Sequence, residues 1–418
     1  MPPSFVAVAA AAAALALAAV SSSLPGAAAS ALAVAAAAPS EQQPPPGLDA
    51  SSSLATMHPA ARALAEGGHA ALGVGLSGSG FLAFFFIGAL AALRDLNLID
   101  QATTSFAGAS GGAIVALAST LGCPYETGVR AVADLLVDTC ERTGKSCFGT
   151  LDTAVHAALG KALDFVPGPF LPVAGGGFDA ARNATVLARA NGRTYVGVSL
   201  APPSRSALAE QVHRQLRRES ARNSSSSGGD APPLTKADLA LREQRAVEAA
   251  ARARLSKSWV VSEFATVEDG IAAARASSFI PGFSGPRPLT DFRGRAVFDG
   301  MLTQPLPCPE NVAYCLRVSA VPKGEAVMGI TTPIHRADIA PGLSTRNGTG
   351  RYSKREWDAF TLSIGRAADR REVERMGYGE AVAWARQSGL GDAAANARLA
   401  ARGNGAAKAA KERAAAVG

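Results

Sequence analysis

The sequence predicts an α/β fold in which a mainly parallel central sheet carries helices on both faces. Two neighbouring stretches point there most directly. Residues 72–96 (LGVGLSGSGFLAFFFIGALAALRDL) and 104–121 (TSFAGASGGAIVALASTL) each run from a short apolar strand through a glycine-rich turn into an apolar helix. A third observation is that β-branched runs go on alternating with helical ones downstream, the pattern of βαβ units.

The elements follow in order. Residues 71–76 (ALGVGL) form the first strand, and a helix spans about 80–97. Phe84, Phe85, Phe86 and Ile87 make that helix apolar all round, so it is buried. Its length suits a core helix, not a membrane span. Residues 105–108 (SFAG) form the next strand, and a helix over 112–121 is stopped by Gly122 and Pro124. Residues 134–178 mix helix and loop, broken by Pro167, Pro169 and Pro172. Residues 193–200 (RTYVGVSL) alternate and are β-branched, hence a strand. Residues 201–258, rich in Ser, Arg, Ala and Glu, read as an insertion with a surface helix over 234–255. A strand over 259–264, a helix over 267–277, a strand over 295–298 ending at Asp299-Gly300 and a strand over 314–318 follow. Residues 355–387 are mostly helical, and no internal repeat is present.

The termini have their own character. Residues 6–20 are an unbroken apolar run, and Ala31-Leu32-Ala33 offers a small-x-small cleavage site. Residues 1–33 are therefore read as a targeting peptide, secretory or extracellular in destination, with plastid or lipid-droplet targeting as the alternative. Residues 34–69 form a Pro/Ala/Ser-rich linker, 70–390 the main domain, and 391–418 an Ala/Lys-rich tail. The sequons at Asn183, Asn223 and Asn347 agree with secretion.

The chain has 418 residues and a net charge of +7. No basic run is interleaved with aromatics, so nucleic acid is not an expected partner. A mildly basic surface suits an anionic membrane face or an ordinary solvated exterior equally. Of five cysteines, Cys140/Cys147 and Cys308/Cys315 would each close a short loop in an oxidising compartment, or stay reduced elsewhere; at least one thiol is left over. Neither C-x-x-C nor H-E-x-x-H spacing occurs, so no metal is expected.

The chemistry is carried by three turns. Gly108-Ala109-Ser110-Gly111-Gly112 is a G-x-S-x-G sequence, which lifts the Ser110 hydroxyl onto a tight strand-to-helix bend at the positive end of a helix. The earlier turn, Gly78-Ser79-Gly80, presents backbone N–H groups able to hold an oxyanion. Asp299, at a strand end before a glycine, points a carboxylate from the sheet's carboxyl edge and is the best candidate base. Its basicity would have to be raised by desolvation.

This ordered set, a glycine-rich first turn, G-x-S-x-G and then strand-Asp-Gly, resembles the patatin-like phospholipases, lipid acyl hydrolases that use a Ser–Asp dyad without histidine. GSGFLAFFFIGALAALRDL, FAGASGGAIVALA and residues 276–285 (ASSFIPGFSG) look closest to the adipose triglyceride lipase branch. The resemblance spans roughly residues 70–320. It implies a three-layer α/β fold, Ser110 as nucleophile, Asp299 as base, and Gly78, Ser79 and Gly80 as the oxyanion hole. It implies no cofactor, a glycerolipid substrate, and a membrane or lipid-droplet surface as the place where substrate is met. Two positions depart from the pattern: Ala83 stands where a glycine is usual, and Met301 follows Asp299-Gly300 where a small residue is usual. Met301 also motivates a rival, a catalytically impaired lipid-binding relative; a transacylase would use the same dyad. Another rival is an α/β-hydrolase triad, Ser110…Asp299…His335, which has the right chain order. Phe81, Leu82, Phe84 and Phe85 are read chiefly as core. Gly175-Gly176-Gly177 lacks a following Lys-Ser/Thr and reads as a turn.

Overall fold

The computed structural model describes residues 57–142, 147, 149–166, 180–201, 257–280, 283–285, 287, 289–323, 336–342, 352–363 and 366–417. The expected leader, the Pro-rich part of the linker and the interior of the insertion, with its predicted helix, lie outside the described residues. So do Gly175 to Gly177, His213, His335, Asn223 and Asn347.

The first described helix, α1 (Pro59–Gly67), falls inside the expected linker. A proline opens it, and His58 Nδ1 accepts the Ala60 N–H at 3.2 Å. Strand β1 (Leu72–Leu76) is buried along its length, and α2 (Ala83–Asp95) is buried from Phe84 to Leu93. Strand β2 (Ser105–Ala109) leads into α3 (Gly111–Thr120), which is buried end to end. Gly122, at φ 80°, takes the left-handed conformation that ends this helix, and Pro124 follows. Helices α4 (Arg130–Arg142), which begins just before it, and α5 (Leu151–Ala162) fall in the 134–178 stretch expected to mix helix and loop, and α6 (Ala180–Ala190) follows that stretch. Then come β3 (Thr194–Leu200), β4 (Lys257–Val261) and α7 (Val267–Ser277). Strand β6 (Arg295–Phe298) is the second arm of a hairpin whose first arm, β5 (Thr290–Phe292), the sequence pattern did not reveal. Arg293 and Gly294, both at positive φ, make its two-residue turn. Strand β7 (Tyr314–Val318), α8 (Lys354–Leu362), α9 (Ala367–Gln387) and α10 (Ala393–Val417) complete the order. The Ala/Lys-rich tail is thus a helix, and α1 and α10 pack on each other. Each is Ala-rich, and α1 also packs against β1 and β7.

The sheet has the order β5-β6-β3-β2-β1-β7, with β4 also paired to β3. The centre β3-β2-β1-β7 is parallel; β4, β6 and β5 are antiparallel additions. Register settles one consequential detail. Val196 and Gly197 of β3 pair with β2 and with β4, so those two strands flank β3 on opposite edges. Ser199 and Leu200 pair with β4 and with β6, so β6 shares the edge used by β2. Strand β2 runs parallel to β3 and stops with Ala109 opposite Gly197. Strand β6 runs antiparallel and stops with Phe298 opposite Ser199. Their carboxyl ends therefore meet head to head beside Val198.

Helix α9 lies across α2 at a crossing made of glycines. A methyl group at Gly88 would overlap the Glu374 carbonyl oxygen, and one at Gly377 would overlap that of Phe85. Arg370 of α9, nearly buried, also reaches Asp134 (2.9 Å) and Asp138 (3.0 Å) on α4, and Arg130 pairs with Glu374. Because the helix backbones touch, Gly88→Leu should lower unfolding free energy by roughly 3 kcal/mol. Denaturant titration checks this; an unchanged midpoint would mean the crossing is slack.

Both cysteine pairs, Cys140–Cys147 and Cys308–Cys315, form disulfides, and Cys123 is a buried free thiol. No helix among the described residues is long and apolar enough to cross a membrane.

Candidate active site

Ser110 stands at the bend between β2 and α3. Its backbone is at φ 54° and ψ −129°, a left-handed region that β-carbon sterics disfavour by about 1–2 kcal/mol. The bend throws its side chain off the strand end at the amino terminus of α3, where the helix field favours an anion. Asp299 is the residue immediately after β6. Since β2 and β6 end head to head, the two side chains meet: the Ser110 hydroxyl donates to Asp299 Oδ2 at 2.7 Å. The other carboxylate oxygen, Oδ1, accepts the Met301 N–H at 2.8 Å. Asp299 is held at both backbone ends as well. Its N–H donates to the Phe279 carbonyl at 2.8 Å, and its carbonyl accepts from Ser199 Oγ at 2.7 Å.

Both side chains are 4 % exposed. Burial raises the Asp299 pKa from 3.8 to about 7, while the hydrogen bonds from Ser110 and the Met301 N–H pull it down; no charged side chain contributes. A carboxylate tuned to neutrality can take a hydroxyl proton without a histidine. The ordinary weakness of aspartate as a base is offset by the apolar surroundings.

The Gly78–Gly80 turn lies against the serine bend because Gly111 has no side chain: a methyl there would overlap Ser79 Oγ and crowd Gly80 O at 2.8 Å. The three expected oxyanion amides are not equivalent. The Gly78 N–H is already donated to the Pro305 carbonyl at 3.2 Å, so Gly78 drops out as a donor. Among the described residues no hydrogen bond takes the Ser79 or Gly80 N–H. Gly80, at φ 53°, turns that amide pair, and a side chain on it would overlap the Thr361 carbonyl at the end of α8.

Met301 lies on the turn. A methyl group at Gly78 would fall within 2.7 Å of three Met301 side-chain atoms. With Ala109 and Val321 it forms a small apolar cluster separate from the main core and next to the dyad. Phe81, Leu82, Phe84 and Phe85 belong to the main core; Phe85 rests edge-on against Trp357. Two of the described histidines have partners away from the dyad: His58 caps α1 and lies edge-on to Tyr314 and Trp384, and His69 Nε2 meets the Asn97 carbonyl at 3.0 Å. Among the described residues no group of three or more His, Cys, Asp or Glu side chains is placed to hold a metal ion.

Two polar side chains at the site carry no motif signal in the sequence: Ser199, which holds the Asp299 carbonyl, and Ser277. Ser277 Oγ accepts the Ser110 N–H at 2.9 Å and donates to the Gly197 carbonyl at 2.6 Å. The only signal for it was its place in the 276–285 stretch.

Comparison with known proteins gives two results. The family model described as Patatin-like phospholipase matches residues 75–311, more than half of the chain. The structure of VipD from Legionella pneumophila is similar at 14% identity and a TM-score of 0.33, covering 76% of this chain and 66% of that one, just under two thirds of its length. No curated protein matches the chain.

Proposed function

Starting from the chain's membership of the patatin-like phospholipase family, we propose that it hydrolyses carboxylic esters of glycerolipids through Ser110 and Asp299. The family implies lipid acyl hydrolysis; the substrate and the roles of individual residues are inferred from the site's geometry. The observation that carries it is the 2.7 Å hydrogen bond from the Ser110 hydroxyl to a buried carboxylate poised near pH 7.

In this reading Asp299 takes the hydroxyl proton as Ser110 Oγ adds to the ester carbonyl. The Ser79 and Gly80 N–H groups and the α3 amino terminus receive the developing oxyanion. Collapse breaks the ester bond, and the alcohol leaves with the proton held by Asp299. Water, deprotonated by Asp299, then releases the fatty acid and restores the serine. The stretches resembling the adipose triglyceride lipase branch favour triacylglycerol or a phospholipid, met at a membrane or droplet surface. The two disulfides favour an oxidising compartment, in keeping with a secretory or extracellular location.

Purified protein should hydrolyse p-nitrophenyl and glyceryl esters. Because a protonated Asp299 cannot accept the serine proton, kcat/KM should fall about tenfold per unit below an acid limb centred near pH 7. A profile flat across about pH 5–8 would remove Asp299 as the base. The seat of Met301 on the oxyanion turn supports a second reading, a lipid-binding relative with a blocked site. Lipid binding without turnover of any ester would favour it.

A further inference from the structure

We infer that Ser277 is a positioning residue, holding the strained Ser110 bend in the conformation that aims its hydroxyl at Asp299. This rests on the acyl-hydrolase reading but has its own evidence. The Ser110 backbone sits at φ 54°, where a non-glycine residue stays only if its surroundings hold it. Its carbonyl is held by the start of α3, accepting the Ala113 N–H at 2.9 Å. Its N–H, at the helix start, has no intrahelical partner. Ser277 supplies one: Oγ accepts that N–H at 2.9 Å and passes its own proton to the Gly197 carbonyl at 2.6 Å. Gly197 is the β3 residue opposite Ala109, so the hydroxyl ties the bend to the strand beside it.

The same segment holds the other partner. Two residues beyond Ser277, the Phe279 carbonyl accepts the Asp299 N–H at 2.8 Å. The end of α7 thus grips the nucleophile by a side chain and the base by a main-chain carbonyl, across the gap where β2 and β6 meet. Ser277 is fully buried, so its hydroxyl is out of reach of bulk solvent. Removing it leaves two main-chain groups unpaired and lets the bend relax toward negative φ. The Ser110 hydroxyl then swings off Asp299, and the hydrogen bond that lowers the carboxyl's pKa is lost with it.

The test uses the full chain and three readouts on Ser277→Ala and Ser277→Thr. In Ser277→Ala, kcat for a p-nitrophenyl ester should fall by about 10- to 100-fold with KM little changed, the penalty of leaving buried polar groups unpaired. Its acid limb should move to higher pH, which a merely structural loss would not do. Ser277→Thr, which keeps the oxygen, should stay within about threefold of wild type, and deuterium exchange over residues 105–113 should accelerate only in the alanine variant. Wild-type kcat and pH profile in a folded Ser277→Ala would overturn the inference. So would a loss of kcat with an unmoved acid limb. If wild type itself turns over no ester, the acyl-hydrolase reading fails; exchange at the bend then decides alone, faster in Ser277→Ala supporting the inference and unchanged exchange overturning it.

Discussion

Ser110→Ala should lower ester turnover by about 10⁴-fold or more while the protein stays folded and still binds lipid. The oxygen is the only atom removed, and the bond it makes is the first covalent bond of the proposed reaction. The oxyanion amides and the helix amino terminus survive the change, so a small residual rate over water is expected. The bend also survives, since alanine meets the same backbone strain as serine. Loss of the Ser110 hydroxyl leaves Asp299 Oδ2 without its donor, so the carboxyl's pKa should rise further. Turnover at the wild-type rate in this variant would remove Ser110 from the chemistry altogether.

Asp299→Asn separates chemistry from stability. The amide can keep both contacts of the site: its oxygen accepts the Met301 N–H, and its nitrogen donates to Ser110 Oγ. It cannot accept the serine proton, so turnover should fall by about 10²- to 10⁴-fold. Stability should move the other way. The folded pKa of Asp299 lies above its ordinary value, so its stabilising contribution is present in full below pH 3.8 and is lost as pH rises through about 7. Above that limb the wild-type protein holds a buried ionised carboxylate, at a cost of roughly 4 kcal/mol. The asparagine variant is free of this cost. It should therefore unfold at higher denaturant than wild type at about pH 8, with the gap narrowing as pH falls below 7. A variant less stable than wild type at every pH would show that the carboxylate is there to hold the fold.

Much of this arrangement was legible in the chain. The G-x-S-x-G bend, the glycine turn before it and the Asp299-Gly300 strand end are local signals, each set by a short backbone requirement. The central strands and the buried helix α2 followed from apolar runs and their lengths. What was illegible depends on partners distant in sequence. That β2 and β6 share one edge of β3 and meet at their tips is a matter of register, which no local pattern carries. Gly78 looks like an oxyanion donor until the Pro305 carbonyl is seen to take its N–H. Ser277 looks like a helix-end serine until Ser110 and Gly197 are seen on either side of it. Helices α1 and α10 read as linker and tail for a similar reason: each is Ala-rich and lies beside a low-complexity stretch, and their packing on one another joins segments far apart in the sequence. Strand β5 is only three residues long, too short for an alternation to register.

Mass mapping after treatment with a serine-directed fluorophosphonate tests the central claim most directly, because it asks whether one buried hydroxyl is activated on the folded protein. The expected result is a single adduct on the peptide carrying Ser110, absent from Ser110→Ala and formed far more slowly in Asp299→Asn. An unmodified folded protein, or an adduct on any other residue, would contradict it.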